Sequence, residues 1–281
     1  MRIVGEYRES INAANHEGGG IHDDTVATKL GFRGGTVAGS IHLDLFPPLL
    51  LEAFGKDWFE TGSLSIDFKN ATVSREPVRA GLDGDVSTGQ VRARIERDDG
   101  MLVGEGTAAV GSPDAPTALR ARDLAAHPAE SPRILAGLAA GDEIPTSRHH
   151  VGVTRQEMLL DNALVTEPLD WYRGDSPWGG AVVAPQQLVH VLYTAAVAHI
   201  GPIVAETGGG VGLFGAIEIA NLDGPLQLDR PYDFDGRILA IGESPKTEYT
   251  WFEVTASDDA TPVSCMLMQL RWMKASSPLY A

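Results

Sequence analysis

The sequence predicts an α+β protein made of two tandem copies of one unit, each with an apolar helix followed by antiparallel strands. The clearest observation is a pair of Gly-Gly turns, Gly34-Gly35 and Gly179-Gly180, each following an aromatic residue and preceding a helix-like apolar stretch. Later landmarks recur in the same order, since residues 75–78 match residues 229–232. Runs of alternating apolar residues also follow each helix, as expected of strands.

The spacing of the landmarks shows how the two copies differ in length. The Gly-Gly turns lie 145 residues apart, whereas the matching residues 98–103 and 258–263 lie 160 apart. This drift predicts insertions in the second copy. The glycine-rich residues 206–210 are the expected place for one of them.

The two predicted helices are apolar nearly all round, as expected of helices buried in a core. They cover residues 40–54 and 186–200. Pro47-Pro48 should kink or divide the first helix, because proline lacks a backbone N–H and clashes with the preceding turn. In the second copy Pro185 fits the first turn, and Gly201-Pro202 is expected to end the helix.

Strands are predicted from the alternating apolar residues after each helix. They cover residues 64–68, 91–95 and 101–110 in the first copy and 214–220, 238–240, 249–254 and 266–272 in the second. One central helix wrapped by antiparallel strands, used twice, is the double hotdog arrangement. The predicted division is an amino-terminal hotdog unit over residues 1–112, a linker over 113–145 and a carboxy-terminal unit over 146–281. Within the linker, only residues 133–140 are expected to be helical.

Composition narrows the classes of function. The chain has 281 residues, 43% of them hydrophobic, and its 22 Lys and Arg against 38 Asp and Glu give a net charge of −16. Such a chain repels a phosphate backbone on average, so nucleic acid is not an expected partner. The single cysteine, Cys265, fits a reducing cytoplasm. The amino terminus is charged too early for a signal peptide and the apolar runs are short, so a cytoplasmic protein without a membrane partner is expected.

The sharpest local feature lies before the first Gly-Gly turn. It reads Glu17-Gly18-Gly19-Gly20-Ile21-His22-Asp23-Asp24, and Ala27 and Gly31-Phe32 follow it. This segment resembles the MaoC-like (R)-specific enoyl-thioester hydratases, which carry Asp-x-Asn-Pro-Ile/Leu-His-x-Asp, an alanine, Gly-Phe and then a glycine-rich turn into the hotdog helix. With both copies counted, the family's fold would cover nearly the whole chain.

The resemblance implies catalytic roles for His22, Glu17 and Asp24. In the family, an Asp and a His hold and activate the water that adds across an α,β-unsaturated thioester of coenzyme A or of a carrier protein, without a cofactor. The chemistry suits these residue types, because imidazole titrates near neutrality and a neighbouring carboxylate can orient it.

The resemblance also implies a site for the thioester carbonyl at the start of the first hotdog helix. The backbone amides there are expected from Ala38, Gly39 and Ser40. The first amides of a helix have no partner within the helix, so they can stabilise the negative charge that develops on an enolate oxygen.

The sequence departs from the family pattern in three places. Glu17 stands where the family has the shorter Asp, Gly19-Gly20 replace Asn-Pro, and one residue is missing between His22 and Gly31. In the second copy, the residue 145 positions after His22 is Glu167 rather than a histidine. Any chemistry is therefore expected in the first copy.

Three functions stay open on the sequence. The first is a hydratase, or a dehydratase in reverse, acting on an enoyl or 3-hydroxyacyl thioester. The second is an acyl thioesterase that uses a carboxylate such as Glu17 or Asp24, and the third is a non-catalytic protein that binds an acyl ligand. A monomer or a homodimer is expected, because a double hotdog already contains the pair of units that single hotdogs form by association.

The remaining histidines are expected to be structural, although His16 and His42 could face the same pocket. His149-His150 is not expected to bind a metal, because adjacent residues on a strand point to opposite faces, and no metal site is assigned.

Arginines and aromatic residues supply the other candidates. The arginines that could contact the phosphates of coenzyme A are Arg33, Arg75 and Arg79. The aromatic residues of the second copy that either line a binding cleft or pack in the core are Trp171, Tyr172 and Trp178.

Overall fold

The computed structural model describes residues 1–13 and 20–280. The candidate residue Glu17 and the neighbouring His16 lie outside this range. Within the described residues, eleven β-strands form one antiparallel sheet, and the helices share the main hydrophobic core with it.

The elements follow in chain order. The first unit and its approach contain β1 (Arg2–Val4), β2 (Arg8–Glu9), α1 (Asp24–Lys29), a 3₁₀ helix (Gly39–Leu45), α2 (Pro47–Phe54), α3 (Asp57–Thr61), β3 (Gly62–Phe68), β4 (Pro77–Asp83), β5 (Gln90–Arg97) and β6 (Leu102–Val110). The second contains β7 (Glu143–Val151), α4 (Thr154–Asp161), α5 (Pro185–Glu206), β8 (Gly212–Asn221), β9 (Arg230–Glu243), β10 (Thr247–Asp258) and β11 (Thr261–Met273). Short 3₁₀ turns lie at Val86–Thr88, Asp170–Tyr172, Lys274–Ser276 and Pro278–Tyr280.

The sheet has the same strand order on both sides of its centre. Neighbouring strands run β1-β4-β5-β6-β3-β8-β11-β10-β9-β7, and β2 pairs with β4. At the centre β3 pairs with β8, with Ser63 opposite Ala220 and Ile66 opposite Ile217, so the two units share one continuous sheet. The α+β double hotdog predicted from the repeat is therefore confirmed.

The landmarks of the repeat are turns with equivalent backbone conformations. Arg75 shortly precedes β4 and Asp229 precedes β9, and both are non-glycine residues with positive φ, 66° and 59°. In the later hairpins, Gly100 and Ala260 also have positive φ, 82° and 70°. Because side chains rarely adopt this region, matching positive-φ turns are a specific sign of a shared backbone plan.

The first hotdog helix is divided, as the two prolines predicted. The chain forms the 3₁₀ helix Gly39–Leu45, and α2 then begins at Pro47, where a missing backbone N–H costs least. Leu43, Phe46 and Leu50 from the two parts are all fully buried, so the division does not remove the helix from the core.

The second hotdog helix is longer than predicted. It continues through Gly201-Pro202 to Glu206, so the expected stop at Gly201-Pro202 is wrong. Pro202 is exposed, while Ile200 and Val204 on the inner face are buried and hold the last turns against the core. Of the described helices, α5 has the length and apolarity of a membrane span, but it is the core helix of the second unit.

The segment between the units is ordered over the outer face of the sheet. Leu119 is fully buried there against Ala216, Trp251 and Leu267. β7 begins at Glu143, so a strand of the second unit starts within the predicted linker.

The helix expected within the linker is wrong, because residues 133–140 form turns. Their amides have a different partner: those of Arg133, Ile134 and Leu135 donate to the carboxylate of buried Glu248 at 2.9, 3.1 and 2.9 Å. A carboxylate from β10 thus satisfies the amides at the beginning of these turns.

The short helices α1 and α4 occupy equivalent places and end in the same cap. After α1, the amide of Phe32 donates to Ala27 O and Gly31 has φ 89°. After α4, the amide of Leu164 donates to Leu159 O and Ala163 has φ 51°. This is the Schellman arrangement, which explains the spacing of alanine and Gly-Phe in the motif.

This equivalence corrects the alignment of the motif in the second copy. Gly31 stands four residues before Gly35, whereas Ala163 stands seventeen residues before Gly180. The second copy therefore also has an insertion between α4 and the second Gly-Gly turn, before the residues 206–210 at which one was expected. The counterpart of His22 is at the start of α4, and not at Glu167, which pairs with Arg8 at 2.7 Å. The residues at that start, 152–154, include no histidine.

Candidate functional site

A cavity of about 440 Å³ lies between the two units. The first unit lines it with three segments, residues 20–22, 36–39 and 68–72. The second unit contributes Tyr193 from α5 and residues 212–214 from β8. The site therefore belongs to both halves of the chain.

Tight backbone packing places His22 in the wall of this cavity. A Cβ on Gly35 would lie 2.2 Å from the carbonyl oxygen of His22, so only glycine allows the turn to approach this closely. The amide of Thr36 donates to Ile21 O at 3.0 Å, and the amide of Val37 donates to Thr72 O at 2.9 Å. The three lining segments of the first unit are thus bonded side by side.

The hydrogen bond of His22 determines which ring nitrogen is free. Nδ1 lies 2.7 Å from the carbonyl oxygen of Thr36. Because a carbonyl can only accept, Nδ1 carries the proton, and Nε2 of the neutral ring is unprotonated. No described residue forms a hydrogen bond with Nε2. A side chain in this state can take a proton from water.

Asp24 lies behind the cavity wall rather than in it. Its Oδ1 accepts a hydrogen bond of 2.7 Å from the amide of Gly35, and the residue does not line the cavity. The neighbouring Asp23 caps α1 by accepting from the amide of Val26 at 2.9 Å. The two carboxylates therefore hold α1 and the Gly-Gly turn together beneath His22.

The start of the 3₁₀ helix forms another part of the wall. Ala38 and Gly39 line the cavity, whereas Ser40 is buried outside it. The amides of these three residues donate to no acceptor in the described part of the chain. A Cβ on Gly39 would lie 2.7 Å from the ring of Phe68, so glycine lets this ring pack over the helix start.

The second unit leaves fewer donors at the same place. Pro185 is the first residue of α5 and has no backbone N–H. The next amide, that of Gln186, donates to Oδ1 of Asp44 at 2.9 Å. Asp44 is fully buried, and this burial raises its pKa to about 7. The first unit thus fills the helix start of the second with its own carboxyl group.

Three residues of the cavity region form a buried chain of hydrogen bonds. His42 Nε2 lies 2.8 Å from Thr72 Oγ1, and His42 Nδ1 lies 3.3 Å from Ser10 Oγ. All three are buried, and His42 and Thr72 line the cavity. Burial lowers the pKa of His42 to about 4, so the ring is neutral near neutrality. Sequence reasoning missed Ser10 and Thr72, because isolated hydroxyl residues carry no pattern.

A second part of the cavity lining is apolar. It is formed by Phe68, Val103, Leu213, Phe214, Leu270 and Tyr193. Tyr193 and Phe214 pack edge to face, with ring centroids 5.2 Å apart. The cavity lining thus combines the histidines of the first unit with apolar side chains, several of which the second unit supplies.

Two cationic side chains flank an adjoining hollow of about 300 Å³, which shares Phe32 and Thr36 with the cavity. They are Arg33, which pairs with Glu76 at 2.9 Å, and Lys69, which pairs with Asp67. Of the other candidate arginines, Arg75 lies 3.7 Å from Glu9 and Arg79 lies 2.9 Å from Glu96, and neither lines the cavity.

Aromatic rings fill the place in the second unit that is equivalent to the cavity wall of the first. They belong to Trp58, Phe59, Trp171 and Trp178, which we call the aromatic cluster. Phe59 lies 5.4 Å from Trp171 and 5.8 Å from Trp178, measured between ring centroids. The backbone around it matches the cavity wall, because Val182 bridges Gln227 as Thr36 bridges Val73. Of the two expectations for these aromatics, the structure favours packing in the core.

The paired histidines of the second unit have separate surroundings. His149 packs beside Phe234, with centroids 5.9 Å apart, and His150 Nε2 lies 3.4 Å from Asp229. Within the described residues, no three His, Cys, Asp or Glu side chains are placed to hold a metal ion.

Comparison with known proteins identifies the fold. No family model matches the sequence, and no curated protein matches it. A MaoC domain protein dehydratase from Chloroflexus aurantiacus J-10-fl superposes with a TM-score of 0.64 at 11% identity, covering 97% of this chain and 95% of that one. A conserved hypothetical protein of Mycobacterium tuberculosis with a double hotdog fold gives 0.56 at 13% identity, covering 96% and 94%.

A polyketide synthase domain has the same architecture. The dehydratase domain of the CurJ module of curacin polyketide synthase gives a TM-score of 0.51 at 12% identity, covering 88% of this chain and 86% of that one. At these identities the likeness concerns the fold. It confirms the resemblance to MaoC-like double hotdog proteins at that level.

Proposed function

We propose that this protein is a hydratase, or a dehydratase in reverse, that acts on an enoyl or 3-hydroxyacyl thioester in the cavity between the two units. The observation that carries the proposal is His22, whose Nε2 forms no hydrogen bond with a described residue and which lines one cavity with the amides of a helix start that have no described acceptor. A basic nitrogen and an oxyanion site in one partly apolar cavity are the groups that addition of water to an enoyl thioester requires.

The proposed reaction uses the two features in sequence. His22 Nε2 takes a proton from water while the water oxygen bonds to C3 of the enoyl group. The electron pair of the C2–C3 double bond moves toward the thioester, and the enolate oxygen accepts hydrogen bonds from the amides of Ala38 and Gly39. The His22 imidazolium then returns the proton to C2, which restores the neutral ring and completes the addition of water.

The other candidate residues take supporting roles in this proposal. Glu17, five residues before His22, holds the attacking water, as the family resemblance implies. Asp24 keeps the Gly-Gly turn in place through its bond to the Gly35 amide. Arg33 and Lys69 face the anionic end of coenzyme A, or of the arm of a carrier protein, in the adjoining hollow.

The deciding experiment measures hydration of crotonyl-CoA and of longer enoyl-CoA thioesters. His22→Ala should lower kcat/KM by about 10²- to 10⁴-fold, the range for loss of a general acid–base group. His149→Ala removes a histidine from the second unit and should leave the rate within about twofold. Equal inactivity of wild type and His22→Ala across the panel would falsify the proposal.

The same samples test the thioesterase alternative. Asp24 is engaged with the Gly35 amide and does not line the cavity, so Glu17 is the carboxylate left for that chemistry. Release of free thiol from acyl-CoA that disappears in Glu17→Gln, without hydration of any enoyl-CoA, would establish the thioesterase instead.

A further inference from the structure

The hydrogen-bond chain of Ser10, His42 and Thr72 lies directly beside the proposed site for the thioester oxygen. The three residues come from different segments: Ser10 follows β2, His42 lies in the 3₁₀ helix, and Thr72 follows β3. Their relative exposures are only 1%, 2% and 1%. Burial of three polar side chains in mutual contact fixes their geometry far more tightly than surface hydrogen bonds would.

The chain of hydrogen bonds must run in one direction. A neutral imidazole carries one N–H and one acceptor nitrogen. If the proton is on Nε2, His42 donates to Thr72 and accepts from Ser10, so the hydrogen of Thr72 is left to point into the cavity. If the proton is on Nδ1, Thr72 donates to the ring and presents only a lone pair to the cavity.

The backbone places Thr72 next to the helix start, and its hydroxyl lies 2.8 Å from Nε2 of His42 in that helix. Thr72 O accepts from the amide of Val37 at 2.9 Å, and Val37 immediately precedes Ala38. Thr72, Ala38 and Gly39 all line the cavity. A hydroxyl at this place and two amides can therefore converge on one substrate oxygen.

We propose that the Thr72 hydroxyl donates a third hydrogen bond to the thioester oxygen, with His42, as the Nε2–H tautomer, and Ser10 acting as its positioning residues. The inference rests on the proposed function for the reaction that it assists. Thr72 keeps its proton throughout, and its bond strengthens as negative charge develops on the oxygen. His22 remains the group that takes the proton from water and returns it to C2.

Substitution at Thr72 separates this role from simple packing. Thr72→Val keeps the shape of the side chain but removes the hydroxyl, and should lower kcat for crotonyl-CoA by about 10²-fold with KM changed less than about threefold. Thr72→Ser keeps the hydroxyl and should retain kcat within about fivefold. Unchanged kcat in Thr72→Val, or equal losses in both variants, would overturn the proposal.

The tautomers of the two cavity histidines give a test that does not need turnover. In ¹⁵N spectra of the wild-type protein, His22 should be protonated on Nδ1 and His42 on Nε2. Butyryl-CoA is saturated and cannot be hydrated, and its binding should shift the His42 signals in wild type more than in Thr72→Val. The role of Thr72 would be refuted if His42 were protonated on Nδ1, or if the His42 signals did not shift when butyryl-CoA binds.

These two measurements also distinguish the proposals from each other. If wild type hydrates no enoyl-CoA while His42 has the Nε2 proton and responds to butyryl-CoA, the hydratase proposal fails and Thr72 remains a contact of the acyl thioester. If hydration occurs but His42 carries its proton on Nδ1, the hydratase proposal stands and the role of Thr72 fails.

Discussion

Equivalent positions hold a cavity in the first unit and packed aromatic side chains in the second. In the first, residues 36–39 border an open cavity with His22 in its wall. In the second, the equivalent backbone around Val182 is surrounded by the aromatic cluster. The difference shows that one backbone plan can supply a site in one copy and core packing in the other, depending on what the connecting loops carry.

The two helix starts differ in the backbone amides that they leave for a ligand. The first unit begins its helix with Gly39, whose amide donates to no described acceptor, whereas the second begins with Pro185, which has no amide hydrogen. Asp44 then occupies the next donor, the amide of Gln186. An oxyanion site is thus available at one helix start and blocked at the other by two separate features.

The largest effect is expected from a substitution that opens the aromatic cluster of the second unit. Phe59→Ala should lower the free energy of unfolding by about 3–5 kcal/mol, because Phe59 is 2% exposed and its ring packs against three tryptophans. Urea denaturation measures the loss, and Phe59→Leu should cost clearly less. Because the second unit has no histidine equivalent to His22, the variant should gain no second hydration site. A doubled number of bound butyryl-CoA molecules would contradict the idea that the helix start is blocked.

The carboxyl group at the second helix start should make stability depend on pH. Burial raises the pKa of Asp44 from 3.8 to about 7, so the folded state favours the protonated form. This contribution is complete below pH 3.8 and is lost as the pH rises through about 7, up to about 4 kcal/mol.

Urea denaturation between pH 4 and 8 tests this dependence. Asp44→Asn should lack this contribution, so its unfolding free energy relative to that of wild type should rise between pH 4 and 8, whereas Asp57→Asn, at an exposed site, should keep the wild-type profile. Parallel profiles for wild type and Asp44→Asn would show that Asp44 does not titrate in this range.

A methyl group at the first helix start should act on both stability and activity. Gly39→Ala puts a Cβ 2.7 Å from the ring of Phe68 and should cost about 1–3 kcal/mol. It should also lower hydration of crotonyl-CoA, because the displaced ring covers the amides. The control is Gly180→Ala in the second unit, whose Cβ would meet only Gln227, at 3.6 Å, and which should change stability by less than about 0.5 kcal/mol.

The smallest effect is expected at the hollow beside the cavity. Arg33→Gln should raise KM for a coenzyme A thioester by about two- to fivefold, the effect of one exposed charge pair, with kcat unchanged. Glu76 retains Arg97 as a partner at 3.0 Å, so the free energy of unfolding should change little. Arg75→Gln, outside the hollow, should leave KM unchanged. Equal changes of KM in the two variants would show that the hollow does not bind the coenzyme A thioester.

The sequence was sufficient for features with a local physical signature. Alternating apolar residues predicted the strands, and Pro47-Pro48 predicted the division of the first helix, because each depends on neighbours in the chain. His22 could be proposed because the segment from Ile21 to the Gly-Gly turn resembles the motif of the MaoC-like hydratases. Whether Glu17 serves in catalysis stays a prediction.

Other features depend on contacts between distant parts of the chain. Ser10, His42 and Thr72 are separated by 32 and 30 residues, so no pattern in the sequence unites them. The residues at 133–140 have the composition of a helix, whereas the turns they form are held by Glu248 on a distant strand. The position of the insertion before α5 likewise became clear only when the caps of α1 and α4 could be compared.

The segment joining the units has a consequence for how the halves can diverge. A symmetric dimer of identical chains repeats every substitution, so an aromatic loop that closes one site would close both. Here residues 111–142 connect β6 and β7 in one chain, and the loop with Trp171 and Trp178 occurs once. Covalent fusion therefore lets one half be remodelled as scaffold while the other half stays open, with the pairing of β3 and β8 preserved.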